Sequence, residues 1–291
     1  MLDFRPPAIT DRELIESFTR ECGQIGCDIS FTDTYLWRNR YNIMVAFDED
    51  TYYKCYAMGG SVTGYALPIT KGDIRKAVDN VVADARERGV KPFIGLLNSS
   101  NAELIHRLYE GGVSIREDRN SADYIYERVN LAALGGKKYH AKRNHISRFI
   151  RDNSDYSFKE LCKDNFRDAL YVADRWHQNN DDTGELEIIK DALEHFDDLG
   201  LFGLVLYVSG EPAAMCIASE INGSVCDVNF EKAVDIDGAY AVINNEFAKR
   251  FDKYTLINRE EDMGLEGLRK SKLSYHPDIL YSKYHAVFND R

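Results

Sequence analysis

At 291 residues with 44% hydrophobic residues, the chain can bury one large core or two ordinary ones, and no apolar run approaches the roughly 18 residues that cross a bilayer. Its formal net charge of -11 excludes broad, unspecific adhesion to nucleic acid or anionic lipid, both of which need a positive surface. The six cysteines lack a CxxC pair and the N-terminus lacks a basic-then-apolar leader, so a reduced cytoplasmic protein without stable membrane association is expected.

In chain order, Thr10 with Glu13 predicts a capping box opening a short helix. Strands are expected at 41–47, 52–58 and 62–67, parted by an Asp-Glu-Asp turn and a Gly-Gly turn. Ile74, Ala77, Val78, Val81, Val82 and Ala85 repeat at helical spacing until Gly89, and a strand follows at 93–97. Ser100 with Glu103 predicts the cap of the next helix, and 124–129 reads as a strand. Residues 131–136, small and Gly-ended, are the expected linker between an N-terminal domain of 1–130 and a C-terminal domain of 137–291.

The second half repeats the order of elements without repeating the residues. Helices are expected at 138–151, 165–177 and 185–196, and strands at 202–208, 213–219 and 224–231. A helix at 238–251, a strand at 254–258, a short helix at 265–272 and a strand at 279–288 complete it. This order implies an α+β class, with helices packed on mixed, mostly antiparallel sheets.

Three stretches carry candidate chemistry. Residues 135–149, GGKKYHAKRNHISRF, put Lys142, Arg143 and Asn144 on an acid-free basic helix whose Tyr139, Ile146 and Ile150 predict its buried stripe; its ligand is a phosphate-bearing group. Residues 229–233, NFEKA, end a strand read as strictly alternating, with Asp227, Asn229 and Glu231 on one face. Glu231 is the expected general base, since a carboxylate in a cleft beside apolar groups is the side chain that takes a proton near neutrality. Residues 257–278 hold Asn258, Glu260, Asp262, Arg269, Lys272 and Tyr275 between a strand end and a short helix, and a metal is not expected there.

Together, KKYHAKRNHISRF, FEKA, GAY at 238–240 and GLRKSKLSYHP resemble the soluble relatives of the phosphatidylglycerol lysyltransferase C-terminal domain, over nearly the whole chain. The resemblance implies two tandem GNAT-like (acyl-CoA N-acyltransferase-like) domains, similar also to the FemABX aminoacyltransferases, which draw on aminoacyl-tRNA. Catalysis is expected from Glu231, Lys272 and Tyr275, and donor or substrate binding from Lys142, Arg143, Asn144, Asn229, Asn258, Glu260, Asp262 and Arg269. The expected function is transfer of an activated acyl or aminoacyl group onto an amine or hydroxyl of a small or peptide-like acceptor. Aminoacyl-tRNA and acyl-CoA are the two donors considered, and Asp235 and Asp237 ahead of Gly238 disfavour a coenzyme A pyrophosphate. The rival reading is a GNAT-fold module that binds a nucleotide, coenzyme A or tRNA-like ligand without catalysis.

Overall fold

The computed structural model describes residues 1–180 and 184–289. In chain order the elements begin α1 (Arg12–Thr19), α2 (Phe31–Leu36), β1 (Ile43–Phe47), β2 (Thr51–Met58), β3 (Ser61–Ala66), β4 (Ile69–Thr70), α3 (Ile74–Glu87), β5 (Phe93–Leu97) and α4 (Ser99–Leu108). There follow β6 (Val113–Glu127), α5 (Arg128–Ala133), α6 (His140–Asp152), β7 (Tyr156–Glu160), α7 (Phe166–Gln178) and α8 (Glu185–Glu194). The chain closes with β8 (Phe202–Val208), β9 (Glu211–Asn222), β10 (Val225–Ala233), α9 (Ala239–Arg250), β11 (Leu256–Asn258), α10 (Glu266–Leu273) and β12 (Ile279–Phe288).

Two compact units result, and they are not the contiguous halves expected from the sequence. One comprises Met1–Asp123, Glu261–Leu265 and Leu280–Arg291, the other Tyr124–Glu260 and Glu266–Ile279. Residues 131–136, expected to link the domains, belong wholly to the second unit. Leu131 is fully buried at the end of α5, and Asn245 Nδ2 donates to the carbonyl oxygens of Leu131 (2.7 Å) and Ala132 (2.8 Å).

In the first unit β1, β2 and β3 form an antiparallel meander, β3 pairs in parallel with β5 over Tyr65–Ile94 and Ala66–Gly95, and β12 pairs antiparallel with β5. Helix α3 forms because Asp73 caps it, its side chain accepting from Arg75 N at 2.8 Å. Its Ala77, Val78, Val81, Val82 and Ala85 are buried with Tyr53, Cys55, Ile94 and Leu97 in one core. The cap expected from Ser100 is made by its neighbour Asn98, which accepts from Asn101 N at the start of α4. The one expected from Thr10 is absent: Asp11 stands at the α1 N-cap position without a side-chain cap bond, and accepts instead from Ala8 N in the turn before the helix.

In the second unit β7, β8, β9 and β10 are antiparallel neighbours, β10 and β11 pair in parallel, and β11 pairs antiparallel with the end of β6. Helix α9 buries Ala239, Val242, Ile243, Phe247 and Ala248 in a core with Tyr126, Leu131, Phe149 and Leu204. Two expectations are corrected here. The buried stripe of α6 runs through Phe149, fully buried, while Ile150 is 44% exposed. Strand β10 does not alternate strictly, because an extra residue between Asp227 and Phe230 breaks its register with β9.

Candidate functional site

In the second unit, β10 and β11 stay paired only from Val225–Leu256 to Asp227–Asn258, and past that point the chain turns at Glu260, whose φ is +56°. Asn258 Oδ1 builds the turn by accepting from Glu260 N at 2.7 Å, an Asx turn that favours a left-handed residue there. Between these two residues stands Arg259. Its Nη2 donates to Glu231 Oε1 at 2.8 Å, and Asn244 Nδ2 from α9 donates to Glu231 Oε2 at 3.2 Å. The Glu231 and Arg259 side chains are only 8% and 11% exposed.

Below Arg259 the backbone is fixed by a relay. Lys272 Nζ donates to the Arg259 carbonyl oxygen at 2.6 Å, and Tyr126 OH donates to the Lys272 carbonyl oxygen at 2.7 Å. Tyr275 lies edge-on to Tyr126 and presents its ring to two cations, with Lys142 Nζ 3.6 Å and the Arg259 guanidinium 5.1 Å from its centre. Burial and the Arg259 charge pull the Lys142 ammonium down to about 8, against the pull of Glu231. Burial pushes the Tyr275 phenol up to about 12. Arg259 Nη1 and Asn244 Oδ1 are buried and make no hydrogen bond, one a donor and the other an acceptor on either side of the Glu231 carboxylate.

Glu231, Lys142, Lys272 and Tyr275 are thus brought together, and Asn229 lies two residues before Glu231 on β10, donating to Asp227 Oδ2 at 3.0 Å. Lys272 is buried, not the surface cation its helical spacing suggested. Arg143 is spent on the loop before α6, donating to the carbonyl oxygens of Leu134 and Gly136. Asn144 is exposed beside His140, and Asn258 and Glu260 serve the turn. Asp262 belongs to the first unit, where it meets Arg119 at 3.3 Å and accepts from Gly264 N. Arg269 lies on α10, half-buried. The sequence reading missed Arg259 and Asn244. Arg259 stood inside the segment singled out, between two residues that were named.

At the start of α9, Gly238 has φ +85°, and a Cβ there would stand 2.8 Å from the His145 carbonyl oxygen of α6. Asp237 pairs with Arg148 at 2.7 Å. One side of the Gly238 turn is therefore packed against α6, and the carboxylate of Asp237 stands just ahead of the helix, where a pyrophosphate would meet a like charge.

The first unit holds a separate buried constellation. Lys283 Nζ lies 2.7 Å from both Asp28 and Asp123, and 3.5 Å from Cys27 Sγ. Burial opposes the Lys283 charge, yet the two aspartates hold its ammonium well above the usual range. Lys54 Nζ donates to the Asp28 carbonyl oxygen at 2.5 Å, and burial pushes the nearby Asp33 carboxyl up to about 7, with Asp28 and Glu261 adding to the rise and Lys54 opposing it. Cys27, Asp123 and Glu261 offer donor atoms within 4.8 Å of one another, a spacing that suits a metal ion, but the Lys283 ammonium already supplies positive charge to two of the three.

These elements make a mixed α+β fold of mostly antiparallel sheet flanked by helices, the fold that FemX also has. The sequence profile of the phosphatidylglycerol lysyltransferase C-terminal domain matches residues 19–287, and the chain belongs to that family. A conserved protein of unknown function from Bacteroides thetaiotaomicron superimposes with a TM-score of 0.93 at 35% identity, covering 99% of this chain and 100% of that one. The C-terminal domain of a putative lysylphosphatidylglycerol synthetase from Agrobacterium fabrum gives 0.69 at 16% identity, covering 97% and 92%. FemX gives 0.60 at 6% identity, covering 98% and 97%, a likeness of fold alone. Among the described residues no helix is long and apolar enough to cross a membrane.

Proposed function

We infer that the chain transfers an aminoacyl group from an aminoacyl-tRNA-like ester to an amine or hydroxyl acceptor, at the Glu231 and Arg259 site. The observation that carries this reading is the unpaired donor and acceptor flanking Glu231. A buried polar atom without a partner costs about 1–3 kcal/mol, so its retention in pairs argues for a ligand that completes both. An aminoacyl ester does so: its carbonyl oxygen accepts from Arg259 Nη1, and its α-ammonium donates to Asn244 Oδ1. Glu231 then holds the two side chains in register, both of its oxygens being engaged already.

In the reaction the acceptor's lone pair attacks the ester carbonyl carbon, and the negative charge that gathers on oxygen is met by the Arg259 guanidinium. Lys142, held to about 8, takes the proton that the acceptor loses. Collapse of the tetrahedral species breaks the ester C–O bond, and the leaving hydroxyl recovers that proton. The Asp237 carboxylate ahead of α9 supports a donor other than acyl-CoA. Exposed Lys137 and Lys138, ahead of α6, suit the phosphates of a tRNA end.

The test is single-turnover loss of label from a mixture of aminoacyl-tRNAs with hydroxylamine as acceptor, run beside labelled acetyl-CoA. Deacylation of one aminoacyl-tRNA above the uncatalysed rate, reduced by about 100-fold or more in Arg259→Gln, is expected. Consumption of acetyl-CoA alone would overturn the reading. Retention of tRNA with every ester intact would favour the non-catalytic module.

A further inference from the structure

We propose that the first unit binds a small organic ammonium compound in a pocket of its own, separate from the Glu231 and Arg259 site. The pocket has a volume of about 280 Å³, room for roughly nine waters or a molecule of amino-acid size, and its walls include Tyr56, Phe93, Leu96, Asp118, Lys283 and His285.

Its aromatic walls are built rigidly. The Phe93 ring lies so close to β3 and β5 that a Cβ at Gly64 would stand 2.7 Å from it, too near for the ring to keep its place, and one at Gly95 would stand 3.2 Å away, a tight contact. On another side His285 stacks on Phe93, ring centres 5.3 Å apart and 29° from parallel. Leu96, on the wall, has a φ of +58°, a left-handed conformation that a bulky residue holds only when its surroundings demand it. The twist interrupts β5 where its register with β12 shifts, and the pocket borders that break.

The charge of the walls selects the ligand's sign. Lys283 brings one cation, already answered by the carboxylates of Asp28 and Asp123, each at 2.7 Å. Asp118 adds another carboxylate. It accepts from Ser121 Oγ at 2.7 Å and from Asn120 N at 3.2 Å, two of the roughly four hydrogen bonds that a carboxylate takes. Lys54, on the Asp28 carbonyl oxygen, adds a second cation, so the carboxylates of Asp28, Asp118 and Asp123 outnumber the ammonium groups by three to two; a further anion is disfavoured, and aromatic rings in a pocket that also holds a carboxylate suit an ammonium group. The inference does not depend on the transfer reaction.

Calorimetric titration of the full chain with phenethylamine, phenethyl alcohol and hydrocinnamate tests it, since the three probes share a shape and differ in charge. Phenethylamine should bind one molecule per chain, the alcohol about tenfold more weakly and the anion not at all. Phe93→Leu and Asp118→Asn should each weaken the amine by about tenfold. The proposal fails if millimolar amine gives no binding heat, if the alcohol binds as tightly as the amine, or if both variants bind as the parent does.

Discussion

Lys272 Nζ donates to the main-chain oxygen of Arg259 across 2.6 Å, so a lysine on α10 fixes the backbone of an arginine thirteen residues earlier. Arg259 is thereby held from both ends, its carbonyl by Lys272 and its guanidinium by Glu231. Replacing Lys272 by Met keeps the length and apolar stem but removes the donor. The expected cost is about 1.5–3 kcal/mol of stability in urea unfolding. Transfer should fall less than in Arg259→Gln, because Lys272 acts through Arg259 and is a positioning residue. An unchanged unfolding midpoint would show that the bond does not hold the loop.

Lys142 makes transfer pH-dependent. A group that must be neutral to accept a proton, and is held to about 8, gives a rate that rises with pH through about 8 and then levels. Lys142→Arg keeps the charge and cannot lose it, so the variant should be slower by about 100-fold or more, with no step near that pH. A parent profile flat from pH 6 to 10, each to about half a unit, would assign the proton to another group.

Asp33 predicts a pH-dependent stability in the first unit. Its carboxyl is raised in the fold from an ordinary 3.8 to about 7, so the native protein binds the proton more tightly than the unfolded chain. The favourable contribution is complete below 3.8 and is lost as pH rises through about 7. Asp33→Asn should leave stability at acid pH nearly unchanged and add on the order of 1–3 kcal/mol at pH 8. The groups that set this balance are Asp28, Glu261, Lys54 and Lys283. Equal stabilisation at both pH values would exclude titration of Asp33 as its cause.

Gly238→Ala tests the packing of α6 on the start of α9. The left-handed backbone at φ +85° alone costs an alanine about 1–2 kcal/mol, and the contact with the His145 carbonyl oxygen adds to it. A variant as stable as the parent would mean that the two helices stand apart in solution.

The regular elements with clear apolar periodicity, such as α3 and β12, were legible in the sequence to within two residues. Strand β6 was legible only at its end, because RED and RNS in its middle lie at exposed or half-buried positions and carry no alternation. The bulge in β10 was hidden because VCDVNFEKA alternates formally, and only pairing with β9 reveals the extra residue. Glu231, Lys142, Lys272 and Tyr275 were found from charge and motif. Arg259 and Asn244 were not, since a buried arginine and a helical asparagine owe their significance to tertiary partners. The Lys283 constellation was beyond reach for the same reason: its members come from residues 27–54, 123, 261 and 283.

That constellation bears on the order in which the chain acquires structure during synthesis. Asp28 and Asp123 leave the ribosome long before Lys283, and β5 before the β12 strand that completes its pairing. A nascent chain ending ahead of Leu280 therefore carries two buried acids without their cation and a strand with one edge open, the condition that invites association with other chains. The second unit has its own strands and core by then. The unit that begins the sequence is accordingly the last to be finished, and a fragment cut at the midpoint of the chain inherits an incomplete interior.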